Sequence, residues 1–330
     1  MVRPSKWMRR FTMLSWLWRT ARSEELLLVL PTDSDFPVPV VSAFASAGND
    51  ARFAELEAEL PAASAEVVRN FREGLTRGRL LLEWGVEGMF HKSLLAGRLN
   101  ESETKHLARW RQEAKQRGGT GGEEMSVEYF HHGLRFAPES LRRYIAGKIF
   151  VDAGAYHGES SLVFRGYDPA RILAFELSPS NAEVLTRNLK RAGKNAEKIT
   201  PVLSGVGETE KEIRIFDNGT VTTRADRAGE TPVRITTLDK VMREYREPLG
   251  FVKADVEGAA LDMLRGMTEV LRRDRPVLCL YVYHSPEEFF GCREFLLEQK
   301  LGYHLEFQHH YTRDNLGEVA LMATPEELLK

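Results

Sequence analysis

The sequence predicts an α/β protein with a doubly wound, mostly parallel sheet and an antiparallel edge pair, preceded by a mainly helical N-terminal region. From residue 149 onward, short apolar runs that suit buried strands alternate with segments of helical periodicity. Glycine turns or N-cap residues stand where strands give way to helices. In the first 117 residues, apolar side chains instead recur mainly at helical spacing.

Length, charge and cysteine content limit the classes of protein to which this chain can belong. A chain of 330 residues can hold one large or two modest domains with a full core. Its formal net charge of -2 gives no field that would draw nucleic acid, so we expect no nucleic-acid partner. Cys279 and Cys292 are isolated in the sequence, which favours buried thiols in a reducing, cytoplasmic compartment over a disulfide. No apolar stretch reaches the length of about 18 residues that a membrane-spanning helix needs.

Residues 1–117 are predicted to form a helical accessory region. Helical spacing covers residues 51–116, while residues 31–48 are rich in proline, serine and aspartate and are expected to be irregular. The glycine-rich segment 118–124 is predicted to be a linker. Residues 125–330 then form the domain that carries the chemistry.

Residues 1–22 mix tryptophans with arginines and a lysine. Such a basic, aromatic helix can lie on an anionic membrane surface as a peripheral contact. It can equally pack its tryptophans against the rest of the chain or against a second subunit. The sequence leaves both interpretations open, and it does not predict the oligomeric state.

The most informative stretch, residues 147–181, predicts a strand, a turn, a helix and a second strand. The apolar run 149–152 leads into a turn bracketed by Gly154 and Gly158, and the second apolar run is closed by Glu176. In a doubly wound sheet, ligands bind beyond the carboxyl ends of the strands. The sequence therefore predicts a nucleotide-like ligand at this turn.

The residues of this turn indicate which ligand fits. A dinucleotide site needs the pattern G-x-G-x-x-G, so that a helix N-terminus and the backbone can receive a pyrophosphate. This turn has only two glycines, and Asp152 and Glu159 stand at its edges. A carboxylate about 4 Å from a phosphate costs on the order of 1–4 kcal/mol, whereas the same carboxylate favours an ammonium or a sulfonium.

Glu176 follows the turn by roughly twenty residues, the position from which an acidic residue accepts ribose hydroxyls. Ser204, after the strand predicted at residues 199–203, lies where an adenine would be enclosed. S-adenosylmethionine has an ammonium, a sulfonium and a ribose but no phosphate, so we predict that it is the cofactor; a turn that binds no ligand is the alternative. The predicted cofactor-binding residues are Asp152, Gly154, Ala155, Gly158, Glu159, Glu176 and Ser204.

A second informative stretch, residues 251–258, is a predicted strand that ends at the same edge of the sheet. Asp255 and Glu257 lie at its end, where two neighbouring acids are costly to place unless they bind something. Their candidate partners are the cofactor's ammonium, a substrate proton or a hard cation. The alternative is that Glu257 only favours the N-terminus of the following helix.

His284 follows the strand predicted at residues 277–283. Ser285 and Pro286 begin the next helix, and Glu288 completes a predicted capping box. This boundary places His284 on the same rim as the two acids, either as an ordinary rim histidine or as a catalytic residue.

Further elements are predicted outside these stretches. Alternating polar and apolar residues at 211–216 and 233–236 predict a small antiparallel insertion. Residues 259–272 are predicted to form one helix, and Asp239 is expected to act as a first-turn or capping carboxylate. The antiparallel edge pair is predicted at residues 303–309 and 319–322.

Several short motifs together resemble the FkbM-type S-adenosylmethionine-dependent methyltransferases. They keep family-like order and spacing over residues 125–325, and the combination is specific although no single motif is. The matching pieces are FHHGL at 130–134, GKIFVDAGAYHGES at 147–160, FELSPSN at 175–181, TLD at 237–239, KADVEG at 253–258, Tyr283-His284, and the late His-His pair followed by Glu318-Val-Ala-Leu.

The resemblance implies a class I methyltransferase fold, which is Rossmann-like, and usually O-methylation of a hydroxyl on a sugar, a glycan or a secondary metabolite. It also implies that Asp152, Gly154, Gly158 and Glu176 bind the cofactor and that Asp255 lies near the reacting centre. The chain departs from the family pattern at Leu177, where proline is common, and at Ala254, where a bulkier aliphatic residue is common.

Methyl transfer is an in-line displacement that depends on alignment, and a hydroxyl nucleophile benefits from a base within hydrogen-bond reach. The predicted catalytic residues are Asp255 or His284 as the base, with Glu257 orienting the substrate. The same three side chains would suit Mg²⁺ or Mn²⁺, but no tight ligand spacing supports this in the sequence, so no metal site is predicted.

Two other functions are open at this stage. An NAD-dependent oxidoreductase would also use a Rossmann sheet, although the missing middle glycine and the carboxylates count against it. A catalytically idle, membrane-associated binding module would use the basic N-terminal helix. The candidate cofactor residues argue against such a module without excluding it.

Overall fold

The structure, a computed structural model, describes residues 37–83, 132–135, 137–217, 219, 229–309 and 317–329. The predicted membrane-surface helix within residues 1–22 and the predicted linker at 118–124 lie outside the described residues. Among the described helices, none combines the length and the apolar character that crossing a membrane requires.

The described residues form helices and strands, numbered here in chain order. The helices are α1 (Pro37–Ala43), α2 (Ala47–Glu59), α3 (Ala62–Glu83), α4 (Glu139–Ile145), α5 (Glu159–Phe164), α6 (Pro179–Ala192), α7 (Leu238–Met242), α8 (Ala260–Arg265), α9 (Thr268–Asp274) and α10 (Pro286–Glu298). The strands are β1 (Ile149–Ala153), β2 (Arg171–Glu176), β3 (Ile199–Leu203), β4 (Gly205–Val206), β5 (Lys211–Ile215), β6 (Thr231–Thr236), β7 (Leu249–Ala254), β8 (Val277–Tyr281), β9 (Tyr303–His309) and β10 (Val319–Pro325).

The main sheet has the strand order β3-β2-β1-β7-β8-β10-β9. Its strands pair in parallel except for β10, which runs antiparallel to both β8 and β9. The chain builds outward from β1 in one direction and from β7 in the other, so the switch point of the topology lies between these two strands. This arrangement confirms the predicted doubly wound sheet with an antiparallel pair at one edge.

The centre of the sheet is covered on both faces. Every residue of β1, β7 and β8 is buried, although successive side chains of a strand point to opposite faces. Continuous apolar runs are typical of parallel strands with helices on both sides, and this explains why these strands were visible in the sequence. The carboxyl ends of β1 and β7 are therefore held by a packed core.

The helices α1, α2 and α3 pack against α10 and β9 through an aromatic cluster. Phe289 of α10 lies at its centre, with its ring stacked on Phe71 of α3 (5.0 Å between centroids) and on Phe307 of β9 (5.0 Å). The ring of Phe53 contacts it edge-on at 5.3 Å. Helix α1 lies within residues 31–48, where an irregular segment was predicted, because burial of Val40, Val41 and Phe44 outweighs the local proline content.

Truncation of the central ring is expected to destabilise the protein strongly. The Phe289→Ala change should lower the free energy of unfolding by about 3–5 kcal/mol, because it leaves a cavity among five other aromatic rings of the described residues. Leu297→Ala is the matched control on the same helix, since Leu297 is 48% exposed, and should change stability by less than about 0.5 kcal/mol. Urea unfolding of both variants checks this; equal losses would contradict the packing described.

The prediction of one helix over residues 259–272 is wrong, because this segment forms two helices, α8 and α9. The break occurs at Gly266, where an added Cβ would lie 1.9 Å from the carbonyl oxygen of Gly207. Asp239 accepts hydrogen bonds from the backbone N–H groups of Glu269 and Val270 in α9 (3.1 and 2.8 Å). Asp239 therefore caps a neighbouring helix, a long-range contact that the sequence did not reveal.

The predicted antiparallel insertion is present as a small sheet of order β4-β6-β5. In it, β5 and β6 pair antiparallel, as expected, and the two-residue strand β4 adds in parallel to β6. This sheet follows directly from the end of β3, so it lies beside the edge of the main sheet at which the parallel strands have their carboxyl ends.

Candidate active site

The ends of β1 and β7 contact each other through backbone at Gly154. The N–H of Asp255 donates to the carbonyl of Ala153 (2.9 Å), and Gly154 adopts a left-handed conformation with φ of 78°. A Cβ added at Gly154 would lie 1.8 Å from the carbonyl oxygen of Asp255. Only glycine fits this approach, so the turn after β1 and the acid after β7 form one unit.

Asp152 lies beneath this turn and is fully buried. Its Oδ2 accepts hydrogen bonds from the hydroxyls of Ser160 and Ser161 (2.7 and 2.5 Å), which ties the start of α5 to β1. Its Oδ1 accepts no hydrogen bond within the described residues and lies 3.6 Å from Nζ of Lys253, which donates to the carbonyl of Gly154 (3.0 Å). Asp152 thus holds the turn from below, and its contact with the cofactor stays a prediction.

Glu176 is held rigidly at the end of β2. Its Oε1 accepts from the N–H of Ser178 and its Oε2 from the N–H of Tyr156, both at 2.9 Å. Tyr156 adopts a left-handed conformation (φ 46°) to make this contact. Because an ionised carboxylate has about four acceptor positions, two remain for donors such as the hydroxyls of a ribose.

The other predicted cofactor residues lie around the same turn. Gly158 is the N-cap residue of α5, and Glu159 is the buried first residue of that helix. Ala155 donates its N–H to the carbonyl of Phe175 (2.9 Å). The hydroxyl of Ser204 lies 2.9 Å from the carbonyl of Gly205 and 3.0 Å from that of Arg234, so it links the end of β3 to β6, and its contact with the cofactor stays a prediction.

Asp255, Glu257 and His284 come together at the ends of β7 and β8. Nε2 of His284 lies 3.4 Å from Oδ1 of Asp255 and 3.7 Å from Oε2 of Glu257. The imidazole is 1% exposed, whereas the Asp255 side chain is 21% exposed. Glu257 adopts a left-handed conformation (φ 53°), which costs about 1–3 kcal/mol in a residue other than glycine.

Glu288 supports this cluster from behind, and the sequence did not reveal this role. The predicted capping box is half wrong: the Ser285 hydroxyl accepts from the N–H of Glu288 (3.2 Å), but the Glu288 carboxylate does not return to Ser285. Its Oε1 accepts from the N–H of Ala260 (2.9 Å), and its Oε2 bonds with Nδ1 of His284 (3.0 Å). The spacing of four residues between His284 and Glu288 was the available signal.

The charges around His284 determine its protonation. Burial lowers the pKa of the imidazole, but the hydrogen bond and charge of Glu288 and the charges of Asp255 and Glu257 raise it to about 9. The buried ring therefore carries a positive charge at neutral pH when no other cation lies beside Nε2. Asp255 and Glu257, whose side chains are 21% and 15% exposed, are the members of the cluster that are open to solvent.

Several known proteins are similar to parts of this chain. Residues 152–305 match the model of the methyltransferase FkbM domain. The methyltransferase sdnD of Sordaria araneosa is 33% identical in an alignment 155 positions long, which covers 36% of this chain and 60% of that protein. The chain thus spans about three fifths of the length of this curated relative.

Two solved structures show a weaker likeness. The methyltransferase FkbM from Methylobacillus flagellatus is 19% identical, with a TM-score of 0.47 over 79% of this chain and 60% of that chain. The O-methyltransferase from Bacillus cereus, solved with S-adenosylhomocysteine, is 15% identical, with a TM-score of 0.39 over 68% of this chain and 91% of that one. Over residues 152–305, the part that the family model matches, this chain is therefore similar to the FkbM methyltransferases, as its motifs predicted.

Proposed function

We propose that this chain is an S-adenosylmethionine-dependent O-methyltransferase that acts on a hydroxyl of a sugar, a glycan or a secondary metabolite. One observation carries the proposal. At the switch point of the sheet, a carboxylate suited to accept hydrogen bonds from a ribose lies close to a cluster of acids and an imidazole. Glu176 lies on one side of the Gly154 turn, and Asp255 with His284 lies on the other.

The residues present fit this cofactor. Glu176 has acceptor positions for two ribose hydroxyls, and its orientation is fixed by two backbone N–H groups. Asp255 adds a negative charge at the partly exposed rim near the turn, which favours an ammonium over a phosphate, whereas the charge of the buried Asp152 is balanced by Lys253 at 3.6 Å. When bound, S-adenosylmethionine supplies an electrophilic methyl group.

The chain's own residues would bind and deprotonate the acceptor. Asp255 is placed to accept a hydroxyl proton, because its carboxylate is partly exposed at the rim while His284 and Glu288 hold it from the buried side. Glu257, which lies two residues further along the chain between β7 and α8, would orient the acceptor. The buried core behind β7 and β8 excludes water from this side of the site.

The partner, the cellular location and a membrane contact are also proposed. A small-molecule or glycan acceptor is the proposed partner, without nucleic acid. Both cysteines are buried thiols, which supports a reducing, cytoplasmic location. A peripheral membrane contact through residues 1–22 lies outside the described residues, and vesicle co-sedimentation with and without this segment would test it.

Labelled methyl transfer tests the reaction type. The full chain is incubated with methyl-labelled S-adenosylmethionine and a panel of sugars, glycans and polyols, beside matched amine and carbon acceptors. We expect label in alkali-stable ethers of hydroxyl acceptors, and its loss with Asp255→Asn. Label only on nitrogen or carbon would overturn O-methylation while leaving the methyltransferase assignment in place.

The affinity for the cofactor is expected to depend on pH through Glu176. Burial raises the pKa of this carboxyl, against the lowering effect of the N–H groups of Ser178 and Tyr156 and the charge of Lys253. Glu176 therefore begins to protonate at a higher pH than an ordinary glutamate, and a protonated carboxyl accepts fewer hydrogen bonds. Affinity should be constant near neutral pH and fall as the pH decreases through this raised pKa.

Calorimetric titration at a series of pH values measures this effect. Glu176→Gln is the matched variant, because it keeps the size of the side chain and cannot ionise. It should bind S-adenosylmethionine more weakly at neutral pH and lose the acid-side decline. An identical decline in wild type and variant would assign the pH dependence to another group.

A further inference from the structure

The cluster of Asp255, Glu257 and His284 has the geometry of a cation site. His284 provides the first observation, because its two ring nitrogens have different partners. Nδ1 bonds with the carboxylate of Glu288, which when ionised only accepts, so Nδ1 carries the hydrogen. Histidines that bind metals almost always donate their other N–H to a carboxylate or a carbonyl in this manner.

The second ring nitrogen is aimed at the two acids without making a hydrogen bond. Nε2 of His284 and Oδ1 of Asp255 are both buried, and neither has a hydrogen-bond partner within the described residues. Nε2 lies 3.4 Å from Asp255 and 3.7 Å from Glu257, longer than the 2.7–2.9 Å that is typical of charge-assisted hydrogen bonds. Without a metal the protonated ring balances the two carboxylates at these distances; a cation placed between them would instead bind a neutral Nε2 and both acids.

The spacing suits ligands that share one ion. Nε2 and one oxygen from each acid lie within 4.8 Å of one another. Two ligands about 2.1 Å from the same metal, at angles of about 90–110°, are separated by about 3–3.5 Å, so only small side-chain movements would close the set. The left-handed backbone of Glu257 brings its carboxylate to this position.

We propose that Asp255, Glu257 and His284 bind a divalent cation, Mn²⁺ in preference to Mg²⁺, with Glu288 orienting the histidine. Two carboxylates and one imidazole form a mixed oxygen and nitrogen set, which suits manganese better than the oxygen-only surroundings that magnesium prefers. Three protein ligands leave coordination positions for water or for an acceptor hydroxyl on the partly exposed side of Asp255.

The ion would add a second route to an activated hydroxyl at this site. A hydroxyl bound to a divalent cation loses its proton more readily, so with Asp255 as a ligand the metal would supply the Lewis acid and the proton would pass to water on the exposed side of the site. This use of the ion rests on the proposed function, whereas binding of the ion does not.

Titration of the chelator-treated full chain with Mn²⁺, followed by the electron paramagnetic resonance signal of free Mn²⁺, tests the proposal. We expect one saturable site in the wild type. Asp255→Asn and His284→Gln should weaken binding by more than about 10-fold, and Glu288→Gln by about 10–100-fold through the orientation of the ring. His304→Gln is the matched control, because Nε2 of His304 lies 3.6 Å from Glu306 in a pair whose side chains are 39% and 40% exposed; its affinity should equal that of the wild type.

The possible results separate two conclusions. Absence of saturable Mn²⁺ binding in the wild type, or undiminished binding by both Asp255→Asn and His284→Gln, would overturn the metal site; folding of each variant is checked by its melting temperature. S-adenosylmethionine is titrated in parallel with chelator present. Mn²⁺ binding without cofactor binding would refute the proposed function and leave the metal site standing.

Discussion

The Asp255→Asn variant is expected to lose about 10²–10⁴-fold in methyl-transfer turnover while it still binds S-adenosylmethionine. Asparagine has nearly the same shape as aspartate, but it cannot accept the hydroxyl proton and is a weaker ligand for a cation. Asp255 is the most exposed member of a cluster whose imidazole is buried: its side chain is 21% exposed and that of Glu257 is 15% exposed. His284→Ala should have a comparable effect, because the ring holds Asp255 and Glu257 together.

Turnover and cofactor binding must be measured separately, so that a loss in the chemical step is distinguished from a loss of affinity. Single-turnover transfer of a labelled methyl group reports the chemical step, and calorimetry reports the affinity for the cofactor. Asp262→Asn is the control, since Asp262 lies nearby on α8 with its side chain 46% exposed, and it should leave both quantities unchanged. Undiminished transfer by both Asp255→Asn and His284→Ala would remove these residues from the mechanism.

The Gly154→Ala variant is expected to lose cofactor binding and to unfold at much lower denaturant concentration. Its Cβ would lie 1.8 Å from the carbonyl oxygen of Asp255, so β1 and β7 would have to separate at the switch point. Overpacking of this kind together with the left-handed conformation should cost more than about 3 kcal/mol.

Gly147→Ala is the matched control for this change. Gly147 also has a positive φ, 71°, but an added Cβ there would meet no heavy atom within 4 Å among the described residues. It should cost about 1 kcal/mol for the backbone conformation alone and keep cofactor affinity. Equal effects of the two substitutions would show that backbone conformation, not the contact between the two strand ends, determines the importance of Gly154.

The sequence predicted the parts of the fold that depend on local pattern. Continuous apolar runs located β1, β7 and β8, because strands buried on both faces need them, and the caps at Ser178 and Ser285 marked two helix starts correctly. The break between α8 and α9 could not be predicted, because it depends on contacts of Gly266 and Asp239 with distant segments.

The same distinction applies to the candidate site. The rule that ligands bind at the carboxyl ends of parallel strands was sufficient to group Glu176, Asp255 and His284. It did not show that Asp152 faces two serines beneath the turn, or that Glu288 bonds to His284 instead of closing a capping box. Those contacts depend on how α5 and α10 pack on the sheet, which the linear spacing does not specify.

The central claim is that the edge formed by β1, β2 and β7 binds S-adenosylmethionine. Parallel calorimetric titration of the full chain with S-adenosylmethionine, S-adenosylhomocysteine and NAD tests it most directly. We expect saturable binding of the first two ligands, its loss in Glu176→Ala, and no binding of NAD. Preference for NAD, or binding of S-adenosylmethionine that survives in Glu176→Ala, would contradict this account.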